Sequence, residues 1–365
     1  MSEWIVPTRR YPGRMPTDTD LLPIPLEDFF RKPDRAGFDL SPDGQWLAWL
    51  APVEFEASEP EEEPRRVRRM NLFVAPIEPG EEGPQIGEAR QVTSSAVRDV
   101  AGFLWGDGEH LVYVQDQGGD ENWRLYRVRA DGTDEAPLDL TPFPDVQCQI
   151  VDDLEDCPGE LLFQMNQRIP QVFDVDRLDL RTGEMRCVAE NPGNVQAWIT
   201  DHQGRLRLAT TTDGVNTSLL YRATEDEEWR TVATYDFRSQ ATPIGFTFDD
   251  AGLWVSANLD RDKAAIFEFE LETGQLGELV YEHPDVDVAH LLRSRARRKA
   301  VGVAYETDKT HHEFWDVRRA ALQEFVDAEL PGRNNTLRSY SRDETRYVVH
   351  SGGDRTLGSY WMLDA

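Results

Sequence analysis

The chain has little lysine, little cysteine, no long apolar run and none of the short motifs that mark most hydrolases and nucleotide enzymes. Each gap excludes something. Cys148, Cys157 and Cys187 form no Cys-x-x-Cys pair, and an odd, widely spaced set gives no disulfide framework. A reduced, cytoplasmic setting is therefore the expectation. No apolar stretch approaches the roughly 20 residues that cross a bilayer as a helix. Arg9-Arg10 lies near the start, but Tyr11-Pro-Gly-Arg-Met-Pro16 follows where a twin-arginine export signal needs apolar residues, so no signal is read. Lysine is confined to Lys32, Lys263, Lys299 and Lys309, and arginine carries nearly all the positive charge. The formal net charge is −29. Nucleic acid and anionic membrane surfaces repel such a body, so neither is expected as a partner. The same composition suits a high-salt habitat and a GC-rich genome equally.

The chemistry-bearing motifs are missing too. There is no Gly-x-Ser-x-Gly nucleophile elbow, no Walker loop, no Gly-x-Gly-x-x-Gly and no His-Glu-x-x-His. His311-His312-Glu313 lacks a second histidine four residues after the first and is expected in a surface loop. Asp174-Val-Asp176 and Asp285-Val-Asp287 lack the spacing and glycine of a calcium loop and are expected to flank strand ends. The histidines at 110, 202, 283, 290, 311, 312 and 350 are scattered, and any triad would have to be assembled from distant parts of the chain. Opposed carboxylates would suit a glycosidase, but among 68 acidic residues no pair stands out. No catalytic residue, metal or cofactor is expected.

What is present is a repeat. Residues 1 to 27 are rich in proline and polar residues and read as an arm; residues 28 to 365 read as short strands punctuated by turns. One unit shows the plan. Val100 to Trp105 is a short apolar run, Gly106-Asp107-Gly108 turns, and His110 to Val114 alternates as a second strand. After the loop Gln117 to Asn122, Trp123 to Arg129 alternates as a third, Ala130-Asp131-Gly132 turns, and Pro137 to Thr141 forms a fourth. Comparable first turns fall at Asp43-Gly44, Asp107-Gly108, Pro158-Gly159, Gln203-Gly204, Ala251-Gly252, Arg297-Arg298 and Asp343-Glu344, spaced about 45 to 50 residues apart after a longer first interval. A four-stranded antiparallel meander at this period predicts an all-β fold, a seven-bladed β-propeller. Third strands are read at Asn71–Ala75, Trp123–Val128, Val172–Leu178, Ser218–Arg222 and Ala265–Leu271. The Glu-rich then Arg-rich block Glu54 to Arg69 is read as a solvated loop between two strands of the first blade. Arg318 to Asp327 is predicted helical, with Leu322, Phe325 and Val326 on one face and Pro331-Gly332 ending it.

Phe38-Asp-Leu-Ser-Pro-Asp-Gly-Gln-Trp-Leu-Ala-Trp49 resembles the Ser-Pro-Asp-Gly blade motif of TolB-like and peptidase propellers. Ile24-Pro-Leu-Glu-Asp-Phe-Phe30, Gln117-Gly-Gly-Asp-Glu-Asn-Trp123, Pro243-Ile-Gly-Phe-Thr-Phe248, Ala320-Ala-Leu-Gln-Glu324 and Leu330-Pro-Gly-Arg333 narrow the likeness. Together they resemble the acylaminoacyl-peptidase and dipeptidyl-aminopeptidase-like branch of the prolyl oligopeptidase family, from about residue 24 onward. In that family a seven-bladed propeller precedes an α/β-hydrolase domain carrying a Ser-Asp-His triad and restricts access to it, so that only short peptides are cut.

The resemblance implies a non-catalytic, substrate-gating propeller of a serine peptidase acting on short or N-acylated peptides, with an α/β-hydrolase domain and short peptides as partners. The alternative is a free-standing propeller that binds a protein or peptide without catalysis. The sequence runs to Tyr360-Trp-Met-Leu-Asp-Ala365, which is read as the third strand of the seventh blade, so that blade is expected to be incomplete. Its edge is expected to stay open and to drive self-association, the other possibility being that Trp4-Ile5-Val6 supplies the strand. By the resemblance, acidic propeller residues can hold a substrate's free amine. Asp120, Glu121 and Asn122, in a loop between strands, are the candidates; the same residues would also serve simply to cap that turn.

Overall fold

The computed structural model describes residues 2–4, 25–57, 65–80, 83–354 and 356–365; Ile5, Val6 and Ile24 lie outside them. Seven antiparallel sheets follow one another along the chain as the blades of a propeller. Blades 1 to 7 begin with the strands Ala36–Leu40, Gly102–Trp105, Cys148–Asp152, Val195–Thr200, Ala241–Phe246, Val288–Ser294 and Asn334–Tyr340. Every first turn expected from the sequence lies between a first and a second strand.

The turns explain their own regularity. In blade 1 the Ser41 hydroxyl donates to Asp43 Oδ1 (2.6 Å), and that oxygen also accepts the Gln45 N–H (3.0 Å). The Trp46 N–H donates to Ser41 Oγ (2.9 Å). Blade 7 repeats this bond for bond with Ser341, Asp343, Thr345 and Arg346. Blade 5 repeats it with Thr247, Asp249, Ala251 and Gly252. A hydroxyl residue followed two positions later by aspartate offers the backbone a local alternative to the ladder, so the strand stops and reverses there.

Each core lies between two blades. Leu50, Met70, Leu72 and Val74 of blade 1 pack on Val100, Leu111, Tyr113 and Val128 of blade 2. Similar clusters join each later blade to the next as far as blade 6, and Phe38, Leu40 and Trp49 close the ring with Val348 of blade 7. Second strands have neighbours on both faces, which is why Leu253–Ala257 is buried at every position.

The junction of blades 6 and 7 differs. Among the described residues blade 6 has three strands, and the helix Val317–Glu329 follows its third. Val326 and Leu330 from this segment pack with Tyr347, Val349 and Leu363 of blade 7, with Leu322 alongside. Phe325 is exposed, so the expected apolar face is narrower than the sequence suggested. Asp316 caps the helix, accepting the Arg319 N–H (3.0 Å).

Several expectations are corrected. Glu54 to Arg69 is largely a long hairpin: Trp46–Ala57 pairs with Arg65–Glu78 without interruption, Glu54 opposite Arg68 and Glu56 opposite Arg66. Opposite charges facing one another across the ladder stabilise strands there, rather than a loop. His311, His312 and Glu313 lie in the third strand of blade 6, and Asp174 and Asp176 inside the third strand of blade 3, not at strand ends. The seventh blade takes three strands from residues 334–364, and its outer edge does not stay open. Ser2–Trp4 pairs antiparallel along Thr356–Asp364 as the fourth strand. These residues precede Pro7, the first proline of the arm, so nothing interrupts their ladder.

Candidate functional site

The inner strands surround a central channel, and its chemistry is concentrated at the end where the first turns lie. The turn of blade 3, Asp152-Asp-Leu-Glu-Asp156, is longer than the others and reaches inward. Asp152 Oδ1 accepts the Leu154 N–H (2.8 Å), its other oxygen accepts the Thr200 hydroxyl, and Leu154 adopts a positive φ of 50°. This geometry carries Glu155 across the opening. Arg295, from the first turn of blade 6, meets Glu155 at 3.0 Å and Asp156 at 3.8 Å. Blades 3 and 6 are not neighbours in the ring, so these ion pairs bridge the channel.

Around the bridge lies a cavity of about 630 Å³ whose lining includes Asp39, Trp105, Asp153, Glu155, Arg338 and Tyr340. Asp153 is pushed well above the ordinary carboxylate range, by burial first and then by Glu155 and Asp152, with Arg295 opposing. Asp39 is raised as well, chiefly by burial. Among the described residues no group of three or more His, Cys, Asp or Glu side chains is arranged to hold a metal ion. The three cysteines are unpaired.

Asp120, Glu121 and Asn122 sit elsewhere, in the loop joining the second and third strands of blade 2. A meander puts that loop at the opposite end of its blade from the first turn. Asp120 Oδ1 accepts the N–H groups of Gln117 (3.2 Å) and Asn122 (3.0 Å), and Oδ2 accepts from Asn122 Nδ2 (3.3 Å). Burial would raise this carboxyl, but these donors together outweigh it and hold it below its ordinary value. Asp120 and Asn122 thus cap the loop. Glu121 is exposed with a φ of 57°, and its carbonyl accepts from Gln147 Nε2 (3.3 Å). The base of the loop is pinned by Arg98, which donates to the buried Asp116 (2.7 Å).

The sequence reading therefore pointed to one loop and passed over the bridged end of the channel. Arg293, Arg295 and Arg338 belong to no motif. The acidic run Asp152–Asp156 inside an unusually long first turn is the one local signal that pointed there.

No family model matches the sequence. The chain is 28% identical over 345 residues to a dipeptidyl aminopeptidase of Pseudoxanthomonas mexicana, covering 92% of this chain and 46% of that protein. It is 22% identical over 289 residues to a dipeptidyl peptidase family member of Caenorhabditis elegans, covering 74% of this chain and 36% of that protein. The chain thus spans less than half the length of these curated relatives. Among solved structures it superposes on a prolyl endopeptidase with a TM-score of 0.58 at 10% identity, covering 91% of this chain and 48% of the other. Prolyl oligopeptidase B of Galerina marginata gives 0.56 at 11% identity, covering 90% and 48%. A puromycin hydrolase gives 0.51 at 14%, covering 92% and 52%. The long sequence match to a peptidase and the seven blades agree: the chain is homologous to the propeller half of dipeptidyl aminopeptidases, and its relatives are peptidases of the prolyl oligopeptidase family.

Proposed function

We propose that the chain is the substrate-gating, non-catalytic propeller of a serine peptidase acting on short or N-acylated peptides, working with an α/β-hydrolase domain. The observation that carries this reading is the bridge from Arg295 to Glu155 and Asp156. It narrows the channel of a chain that matches the propeller half of a dipeptidyl aminopeptidase. A large folded substrate does not pass such an opening, whereas a short extended peptide does once the exposed ion pairs yield. Pairs of this exposure are worth only about 0–1 kcal/mol each. At the opposite end, the Glu121 carboxylate is presented to a ligand amine, with Asp120 and Asn122 holding its loop.

The test has two parts. Residues 1–365 contain no nucleophile elbow, so the purified chain is expected to hydrolyse neither acyl-amino-acid anilides nor short peptides. Turnover that survives rigorous purification and is abolished by an organophosphate would sink this part. The gene is expected to continue in frame past codon 365 into a Gly-x-Ser-x-Gly segment. In that whole product, Arg295→Ala should raise turnover of long peptides relative to short ones. A stop codon at that point would favour the free-standing binding module instead.

A further inference from the structure

Arg293 and Arg295 both stand between the same two cavities of the channel wall, and of the two Arg293 is the one without an ion pair among the described residues. It lies near the end of the inner strand of blade 6. On one side is a cavity of about 200 Å³ bounded by blades 3, 4 and 5, with Trp198, Thr200 and Phe246 on its wall. On the other is one of about 280 Å³, with Leu337, Tyr340 and His312. The guanidinium has been given room: a Cβ on Gly245 would lie 2.7 Å from its Nη1, and the Gly245 φ of 154° favours glycine as well. Burial depresses the Arg293 pKa, and the neighbouring Arg295 adds to the effect.

Its donors have no acceptor among the described residues. No hydrogen bond, ion pair or aromatic ring is matched to the Arg293 side chain, although Asp152 and Glu155 are near enough to act on it electrostatically. Those acids are already engaged, Asp152 by the Leu154 N–H and the Thr200 hydroxyl, Glu155 by Arg295. Asp201, on the wall of the smaller cavity, is held by Arg205 and Arg207. Tyr340 lies under Arg319. A partly buried guanidinium with a planar fork of donors and no protein acceptor is a receptor for a planar anion, which a carboxylate matches with two parallel hydrogen bonds. Pockets that take whole drug-sized ligands run to about 300–1,000 Å³. The cavities at Arg293 suit the end of a molecule rather than its bulk.

We propose that Arg293 anchors a ligand carboxylate in the channel, and that the ligand is a short peptide held by its free C-terminus. The choice of a peptide rests on the gating reading; the carboxylate site itself does not.

Calorimetric titration of the 365-residue chain at low ionic strength tests it, with glycylglycine, glycylglycine amide and sodium acetate as probes. Glycylglycine is expected to bind at least tenfold more tightly than its amide, and more tightly than acetate. Arg293→Met should abolish the preference for the free carboxylate while leaving the urea midpoint unchanged or higher, because the variant no longer buries an unmatched cation. Arg293→Lys should retain part of the preference, since it keeps the charge and loses the fork. A preference that persists in Arg293→Met, or no binding of glycylglycine to the unmodified chain, overturns the site. Acetate binding as tightly as glycylglycine, and lost in Arg293→Met, would keep the carboxylate site and overturn the peptide assignment. Neither result bears on the length selectivity that tests the gate.

Discussion

Replacing Asp316 probes the junction where the helix stands in for a strand. Its carboxylate accepts from Arg297 Nη1 (2.7 Å), Lys299 Nζ (2.5 Å) and the Arg319 N–H (3.0 Å) while only 5% exposed. Arg297 also reaches Glu344 of blade 7 at 3.3 Å. Loss of a helix cap costs about 1 kcal/mol. Breaking a fully buried pair costs about 3–5 kcal/mol, an exposed one about 0–1. Arg297 is 24% exposed and keeps Glu344, Lys299 is half exposed, so the charge is worth about 2 kcal/mol here. Asp316→Asn, which still caps, should cost about 2 kcal/mol, and Asp316→Ala about 3. Urea unfolding followed by tryptophan fluorescence reads both; with an m-value of about 3 kcal/mol/M or more, since m rises with size beyond that of small proteins, the alanine midpoint falls by about 1 M or less. Burial would raise the Asp316 carboxyl, but its donors outweigh burial and hold it well below the ordinary value of 3.8. Its folded pKa is thus depressed, so its contribution is present above that ordinary value and is lost as pH falls towards the folded one. The gap to Asp316→Asn should hold from pH 7 to pH 5 and narrow progressively as pH falls below about 4. Equal losses in the two variants, or a gap as wide at pH 3 as at pH 7, would refute the reasoning.

Other perturbations reach other parts of the ring. Asp176 is pushed up to about 6 by burial and then by Asp174; a raised folded pKa means stability present at low pH and lost as pH rises through it. Asp176→Asn should therefore raise the urea midpoint at pH 8 and change it little at pH 4, and an equal shift at both would show the assignment wrong. Deleting residues 1–4 removes the strand that pairs along Thr356–Asp364, and the bared edge should self-associate with concentration, more strongly in high salt, where charge repulsion is screened. Analytical ultracentrifugation showing a monomer under every condition would count against that role. A Cβ at Gly274, whose φ is 69°, would run into the Val232 carbonyl of the neighbouring blade. Gly274→Ala should thus lose more than the about 1–2 kcal/mol of a left-handed residue alone, and a thermal melt with no loss would contradict it.

Much of the architecture was legible along the chain because its causes are local. Period-two alternation and the turn at Ser41-Pro-Asp-Gly44 act within a few residues, so the seven first turns and the helix after blade 6 could be placed without knowing their neighbours. Thr247-x-Asp249 and Ser341-x-Asp343 carry the same turn chemistry in less familiar residues, and a search for a hydroxyl followed by aspartate would have found them. The charged block Glu54 to Arg69 misled because its pairing is across strands: Glu54 reaches Arg66 only once the hairpin closes.

What the sequence determined by itself was a ring of seven short meanders, since each blade's alternation and turns are written in its own residues. Ring closure decided the rest. It laid Ser2–Trp4 on the last blade, brought Arg295 of blade 6 against Glu155 of blade 3, and left Arg293 facing two cavities with its neighbouring acids already taken. Residues on opposite walls of a channel share no periodicity and no local contact, so only the closed tertiary structure sets which charges meet there.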